Sequence, residues 1–192
     1  YIQGPEVNEF ENEFANYCNV SFATGISNGT CSSLLAFKSL NIGEGDEVIT
    51  APNSFIASAS SIALAGAKPV FADINDDLNI NPLEIEKNIT NKTKAVVPVH
   101  LTGRPANMDM INEIAKKYKL FVLEDAAQSV GAKYKGKKVG SFGDAASFSL
   151  HPLKNLHAYG DAGIFVTKHS YLIEKMKIIK NHGLMSRDHC EI

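Results

Sequence analysis

The sequence predicts an α/β domain whose strands are mostly parallel and joined by helical crossovers. Three observations carry that reading. Short β-rich runs alternate with amphipathic helical stretches along the whole chain. Most of the helical stretches open on a polar residue or a proline, the start signals a helix needs. No internal repeat, low-complexity segment or linker divides the 192 residues, so a single domain over residues 1–192 is expected.

A leading helix over Pro5 to Cys18 places Val7, Phe10, Phe14 and Tyr17 at helical spacing, and Val20 to Thr24 reads as the first strand. Asn28-Gly29-Thr30 opens a second helix that runs through Leu34, Leu35 and Phe37 to Leu40. Further strands are expected at Glu47 to Thr50, Pro69 to Ala72, Ala95 to His100, Leu120 to Leu123, Ala146 to Leu150 and Ile164 to Thr167. Helices at Ser54 to Leu64, Pro82 to Asn88, Met108 to Tyr118 and Tyr171 to Asn181 fall between most of them. The stretch from Gly131 to Gly143 breaks the alternation. Its Lys-Gly and Val-Gly punctuation has no helical period and reads as a hairpin excursion.

Composition narrows the function classes. With 44% hydrophobic and 21% charged residues the chain has globular composition and enough apolar side chains for a core. Its 19 basic and 21 acidic residues give a net charge of -2, so no overall field draws it to nucleic acid or anionic lipid. Cys18, Cys31 and Cys190 fit neither a disulfide framework nor a zinc knuckle, which points to a reducing, cytoplasmic setting. No apolar stretch approaches the roughly 18 residues that cross a bilayer. The chain starts at Tyr1 without methionine and ends at Glu191-Ile192, so a piece of a longer protein is expected.

In an open α/β sheet, ligands sit outside the carboxyl ends of the strands, and four such ends stand out. Gly25-Ile-Ser-Asn-Gly-Thr30 could turn backbone amides and the Thr30 hydroxyl toward an anion at a helix N-terminus; an ordinary helix cap is the plainer alternative. Glu124-Asp125 closes an apolar strand, where a carboxylate needs a cationic or hydrogen-bonding partner such as a protonated heteroaromatic nitrogen; a metal ligand or loop cap is the alternative for Asp125. Lys154 follows a strand end and a proline-fixed bend. Held in a water-poor pocket its amine could attack a carbonyl carbon, although most lysines are solvated surface charges. Phe55, after Pro52-Asn-Ser, could cover a flat ring or simply belong to the core. Together an anion cradle, an aromatic cover, an acid and a lysine have the logic of a pyridoxal phosphate site. A metal site from His182, His189 and Cys190 is disfavoured by its irregular setting, and no metal is expected.

Asn28-Gly-Thr30, Ala51-Pro-Asn-Ser-Phe55, Pro98-Val-His-Leu-Thr-Gly103, Glu124-Asp-Ala-Ala-Gln128, Ser147-Phe-Ser-Leu-His-Pro-Leu-Lys154-Asn and Gly160-Asp-Ala-Gly163 closely resemble, in order and spacing, the nucleotide-sugar aminotransferases of the DegT/DnrJ/EryC1/StrS group. The resemblance implies the large domain of a fold-type I pyridoxal phosphate enzyme, with a mostly parallel central sheet and helices on both faces. It implies that Lys154 holds pyridoxal 5'-phosphate as an internal aldimine and shuttles the substrate proton, and that Asp125 keeps the pyridine nitrogen protonated. Gln128 would contact the ring or its phenolic oxygen, Phe55 would pack on a ring face, and Gly29, Thr30 and Ser149 would bind the phosphate. The implied reaction moves an amino group from an amino acid, usually glutamate, to a keto sugar linked to a nucleoside diphosphate, in a homodimer with shared active sites.

Two departures from the family pattern are mild: Asp161-Ala162 stands where Glu-Gly is frequent, and Leu150 where an aromatic is frequent. Lys154 argues against the dehydratase branch, in which histidine replaces the lysine. Family members run to about twice this length. Truncation at both ends, with the small C-terminal domain absent, is therefore expected to leave this piece catalytically poor on its own. A non-catalytic nucleotide-sugar binding or regulatory module that keeps the pocket is the alternative.

Overall fold

The computed structural model describes residues 4–186 and 189–190, so Tyr1 and Glu191-Ile192 lie outside the described residues. The chain order is α1 (Pro5–Cys18), β1 (Phe22–Ile26), α2 (Gly29–Ser39), β2 (Glu47–Thr50), α3 (Ala57–Ala65), β3 (Lys68–Phe71), α4 (Pro82–Lys87), β4 (Thr93–Val97), α5 (Met108–Tyr118), β5 (Phe121–Asp125), β6 (Lys133–Tyr134), β7 (Lys137–Lys138), β8 (Ala145–Ser149), β9 (Gly163–Thr167), α6 (Ser170–Lys180), β10 (Leu184–Ser186) and β11 (His189–Cys190). Seven strands form one sheet in the order β1-β9-β8-β5-β4-β2-β3. Only β9 runs against its neighbours, β1 and β8; the remaining pairings are parallel.

Period-two alternation along these strands divides the core between the two faces of the sheet. Val48, Ala95, Val97, Leu123, Ala145 and Phe165 turn to one face, where they meet Ala36 and Phe37 of α2, Ile62 of α3 and Leu172 of α6. Their chain neighbours Ile49, Val96 and Val122 turn to the other face and pack on α4 and α5. On that second face Ala146, Phe148, Ile164 and Val166 pack under Phe14 and Cys18 of α1. The predicted α/β architecture, a mostly parallel sheet with helices on both faces, is the one observed.

Several boundaries move for identifiable reasons. The first strand begins at Phe22 rather than Val20, because Asn19 ends α1 in the left-handed region (φ 57) and the Val20 amide bonds back to the Ala15 carbonyl. The strand predicted to reach His100 ends at Val97, since Pro98 has no amide for the ladder. Its course continues as a single bridge between Val99 and Asp125, with the Asp125 amide on the Pro98 carbonyl and the His100 amide on the Asp125 carbonyl. The helix predicted from Ser54 starts at Ala57, leaving Ser54 and Phe55 in its lead-in turn. The excursion is a hairpin: β6 pairs with β7 across Lys135 and Gly136, whose φ values of 48 and 82 suit a two-residue turn.

The start of β9 abuts the start of α2. A Cβ on Gly163 would lie 2.6 Å from the Asn28 carbonyl carbon and 2.9 Å from the Gly29 nitrogen, both backbone atoms that cannot rotate away. Gly163→Ala should therefore destabilise the fold by about 1–3 kcal/mol. Urea denaturation should show a lower midpoint at an unchanged slope; an unaltered midpoint would mean that the two backbones separate without cost.

Candidate active site

Five loops leave the carboxyl ends of β1, β2, β4, β5 and β8 and enclose a cavity of about 380 Å³. Gly29, Thr30, Phe55, Asp125, Gln128, Ser149 and Lys154 all line it. The structure thus brings together all seven residues singled out for the cofactor, which come from the first turn of α2, the ends of β5 and β8, and the loops that carry Phe55, Gln128 and Lys154.

The candidate anion cradle is the first turn of α2. Asn28 caps it, its Oδ1 accepting the Cys31 amide at 2.8 Å, so the amides of Gly29 and Thr30 remain directed out of the helix end. A Cβ on Gly29 would lie 3.1 Å from the Ser149 Cβ, so glycine lets the helix start and the end of β8 close on one another. Thr30 and Ser149 bring hydroxyls to the same place, beside the positive end of an eleven-residue helix.

The two acids of β5 face opposite ways. Asp125 shares its face with Leu123 and turns to the cavity, where Oδ2 accepts from Ser58 Oγ at 2.7 Å and Oδ1 from the Ala127 amide at 3.2 Å. Glu124 turns to the other face and is fully buried. It accepts the amides of Gly140 (2.8 Å), Phe142 (2.9 Å) and Gly143 (2.7 Å), and lies 3.0 Å from His100 Nε2. Because His100 Nδ1 accepts the Ala106 amide at 3.1 Å, the ring proton sits on Nε2 and is donated to Glu124. Burial pushes the Glu124 carboxyl up, but the His100 bond and the backbone amides outweigh it and hold the group below its ordinary value of 4.5.

Lys154 is half-buried on the cavity wall, and its amine has no hydrogen bond or ion pair among the described residues. His151 builds the bend that presents it: the Lys154 amide bonds to the His151 carbonyl at 2.8 Å and the Leu153 amide to His151 Nδ1 at 3.1 Å. Phe55 is 72% exposed at the rim, which rules out the core role. Gln128 is also exposed, its Oε1 accepting the Thr102 amide at 3.1 Å. Among the described residues no three His, Cys, Asp or Glu side chains could hold a metal ion, and His182, His189 and Cys190 form no ligand set.

Sequence reasoning left Ser54, Ser58, His100, His151 and Asp161 without roles, yet all line the cavity. The spacing of Ser54 and Ser58, four apart across a helix start, was a readable signal for a hydroxyl pair. A histidine ending an apolar strand one register from a strand-end acid was another.

A family model described as the DegT/DnrJ/EryC1/StrS aminotransferase family matches residues 1–191. The dTDP-3-amino-3,6-dideoxy-alpha-D-galactopyranose transaminase of Aneurinibacillus thermoaerophilus is 49% identical over 185 residues, covering 95% of this chain and 51% of that protein. A protein of Geobacillus stearothermophilus named a pleiotropic regulatory protein is 47% identical over 184 residues, covering 95% of this chain and 50% of its own length. Among solved structures, DesV of S. venezuelae in complex with a ketimine intermediate superposes with a TM-score of 0.96 at 41% identity, covering 98% of this chain and 51% of that one. The chain spans about half the length of the curated relatives it matches.

The depressed Glu124 group has a pH consequence. A carboxyl held below its ordinary value contributes stability that is complete above that value and is lost as pH falls through the folded one. Wild-type stability should therefore drop steeply below about pH 4.5, whereas Glu124→Gln, less stable by about 3 kcal/mol near neutrality, should lose that part of the slope. Urea midpoints measured across the acid range check this; parallel acid limbs in the two proteins would acquit Glu124.

Proposed function

The chain belongs to the DegT/DnrJ/EryC1/StrS aminotransferase family, and from that membership we propose that it is the pyridoxal 5'-phosphate-binding part of a nucleotide-sugar aminotransferase. The enzyme takes an amino group from an amino acid, glutamate by preference, and delivers it to a keto-deoxysugar carried on a nucleoside diphosphate. The observation that carries this reading is the convergence of all seven candidate residues on one cavity, with the Lys154 amine, which has no partner among the described residues, on its wall.

The residues present fit the cofactor. At Gly29 a Cβ would crowd the Ser149 Cβ at 3.1 Å, so glycine lets the backbone of the α2 start lie close against the cavity wall, as a backbone cradle for phosphate would need. Asp125 keeps lone pairs beyond those used by Ser58 and Ala127. The cavity volume of about 380 Å³ is within the range of cofactor sites.

When bound, pyridoxal phosphate supplies an aldehyde and a protonated ring that draws electron density from the reacting carbon. The Gly29 and Thr30 amides, with the Thr30 and Ser149 hydroxyls, hold the phosphate. Asp125 accepts the hydrogen bond of the ring nitrogen and keeps its proton in place. Phe55 shields a ring face from water, and Gln128 contacts the ring edge. The Lys154 amine would face the aldehyde carbon and would hold and move the proton of the donor's α-carbon.

Phe55 and Leu153 (87% exposed) line the cavity yet stand largely in solvent, which supports a homodimer in which a second copy completes each site. Since the chain spans about half of its relatives, this piece alone is proposed to be catalytically poor. Among the described residues no helix is long and apolar enough to cross a membrane, which accords with a cytoplasmic enzyme. The 47% identical relative named a regulatory protein favours a second reading, a non-catalytic module that keeps the pocket.

Borohydride treatment of the full-length protein loaded with pyridoxal phosphate should fix a label on Lys154, located by peptide mass spectrometry. Prior exposure to glutamate should prevent that label. Lys154→Ala should take no label and lose amino transfer by at least about 10³-fold. Labelling that glutamate leaves untouched would favour the regulatory reading, and absence of labelling would sink both.

A further inference from the structure

Asp125 is tied to a pair of hydroxyls whose direction can be worked out. Ser58 Oγ lies 2.7 Å from Asp125 Oδ2, and Ser54 Oγ lies 2.7 Å from Ser58 Oγ. An ionised carboxylate only accepts, and a hydroxyl has a single proton to give. The Ser58 proton is therefore committed to Asp125, and the second contact has to be a donation from Ser54 to Ser58. Ser58 is 4% exposed in the first turn of α3, while Ser54 lines the cavity one residue before Phe55. A single short turn thus carries the aromatic cover and two hydroxyls aligned toward the acid.

We propose that Ser54 and Ser58 form a one-way hydroxyl relay that tunes Asp125, making Ser58 a positioning residue for the ring nitrogen. Each hydroxyl polarises the next, so the donation reaching Asp125 is stronger than that of an isolated serine. The donation from Ser58 fixes Oδ2 in one direction. A ring nitrogen meeting Asp125 then finds a carboxylate already aimed and donates to a lone pair the serine has left open. The Ala127 amide on the other oxygen fixes the plane of the carboxylate, leaving its remaining lone pairs for the cavity. No bond is made or broken by the relay; it acts only through the orientation of the carboxylate. This inference rests on the cofactor assignment proposed above.

The test separates this role from a scaffold role in pinning α3 to β5. The full-length protein and its Ser58→Ala variant are titrated with pyridoxal phosphate and with the analogue whose ring nitrogen is replaced by CH, binding being read by absorbance. Ser58→Ala should weaken pyridoxal phosphate about 10- to 100-fold, the scale of a hydrogen bond to a charged group, and the analogue by less than about 3-fold. Ser54→Ala should weaken pyridoxal phosphate alone by about 3-fold. Equal losses for both compounds in Ser58→Ala, or no loss for either, would overturn the proposal, as would a Ser54→Ala variant that binds both like wild type. A wild-type protein that binds the two compounds equally would remove Asp125 from the ring nitrogen and the relay with it. One that binds neither would refute the cofactor assignment itself.

Discussion

Two neighbouring carboxylates at the end of one strand, forced by the pleat of β5 onto opposite faces of the sheet, are the constraint around which the site is organised. Glu124 goes inward and takes four hydrogen bonds, three from the Gly140 to Gly143 loop and one from His100. A buried charge satisfied in this way is costly to leave half-paired, so the loop and the end of β4 are fixed relative to β5. Asp125 goes outward on the same rigid strand. Its position is therefore set by bonds on the far side of the sheet, and its orientation by Ser58 and Ala127 on the near side. The acid in the cavity inherits the stiffness of the acid beneath it.

The other half of the cavity is assembled through β9. This strand alone runs against the rest of the sheet, and its first residue, Gly163, touches the backbone of Asn28 and Gly29. The cap of α2 is thereby wedged between β9 and the end of β8, where Ser149 stands. On the same face Ser32 Oγ donates to Ser147 Oγ at 2.9 Å, a second tie between α2 and β8. The start of α2 and the base of the Lys154 loop are consequently parts of one packed unit, although more than a hundred residues separate them in sequence.

The strand and helix pattern was legible because period-two and period-3.6 signals are local, and the errors lie where a non-local bond or a backbone restriction decides. Val20 joined the end of α1 through a bond to Ala15, and Pro98 stopped β4 short of His100. The cavity residues were legible mainly as a set: Asp125, Lys154 and Phe55 each had a plainer reading alone, and the structure decides against the core role of Phe55 by its exposure. What sequence could not give was pairing. Nothing in a one-dimensional reading says that Ser58 reaches Asp125 across 67 positions, or that His100 serves Glu124 and not its neighbour.

The described residues around the cavity are unevenly satisfied, and that unevenness selects the ligand chemistry. His100 has both ring nitrogens engaged, His151 spends Nδ1 on its own bend and Gln128 spends its oxygen on Thr102. Among those left with unused capacity are the amides at the start of α2, the Lys154 amine, the Asp161 carboxylate and the open lone pairs of Asp125. A complementary molecule carries an anion for the helix end, a proton donor for the carboxylate and an electrophilic carbon for the amine. A simple phosphate satisfies only the first, and a sugar lacks the cationic donor. A flat, phosphorylated, aldehyde-bearing nitrogen heterocycle would satisfy all three, in keeping with the cofactor proposed for this site.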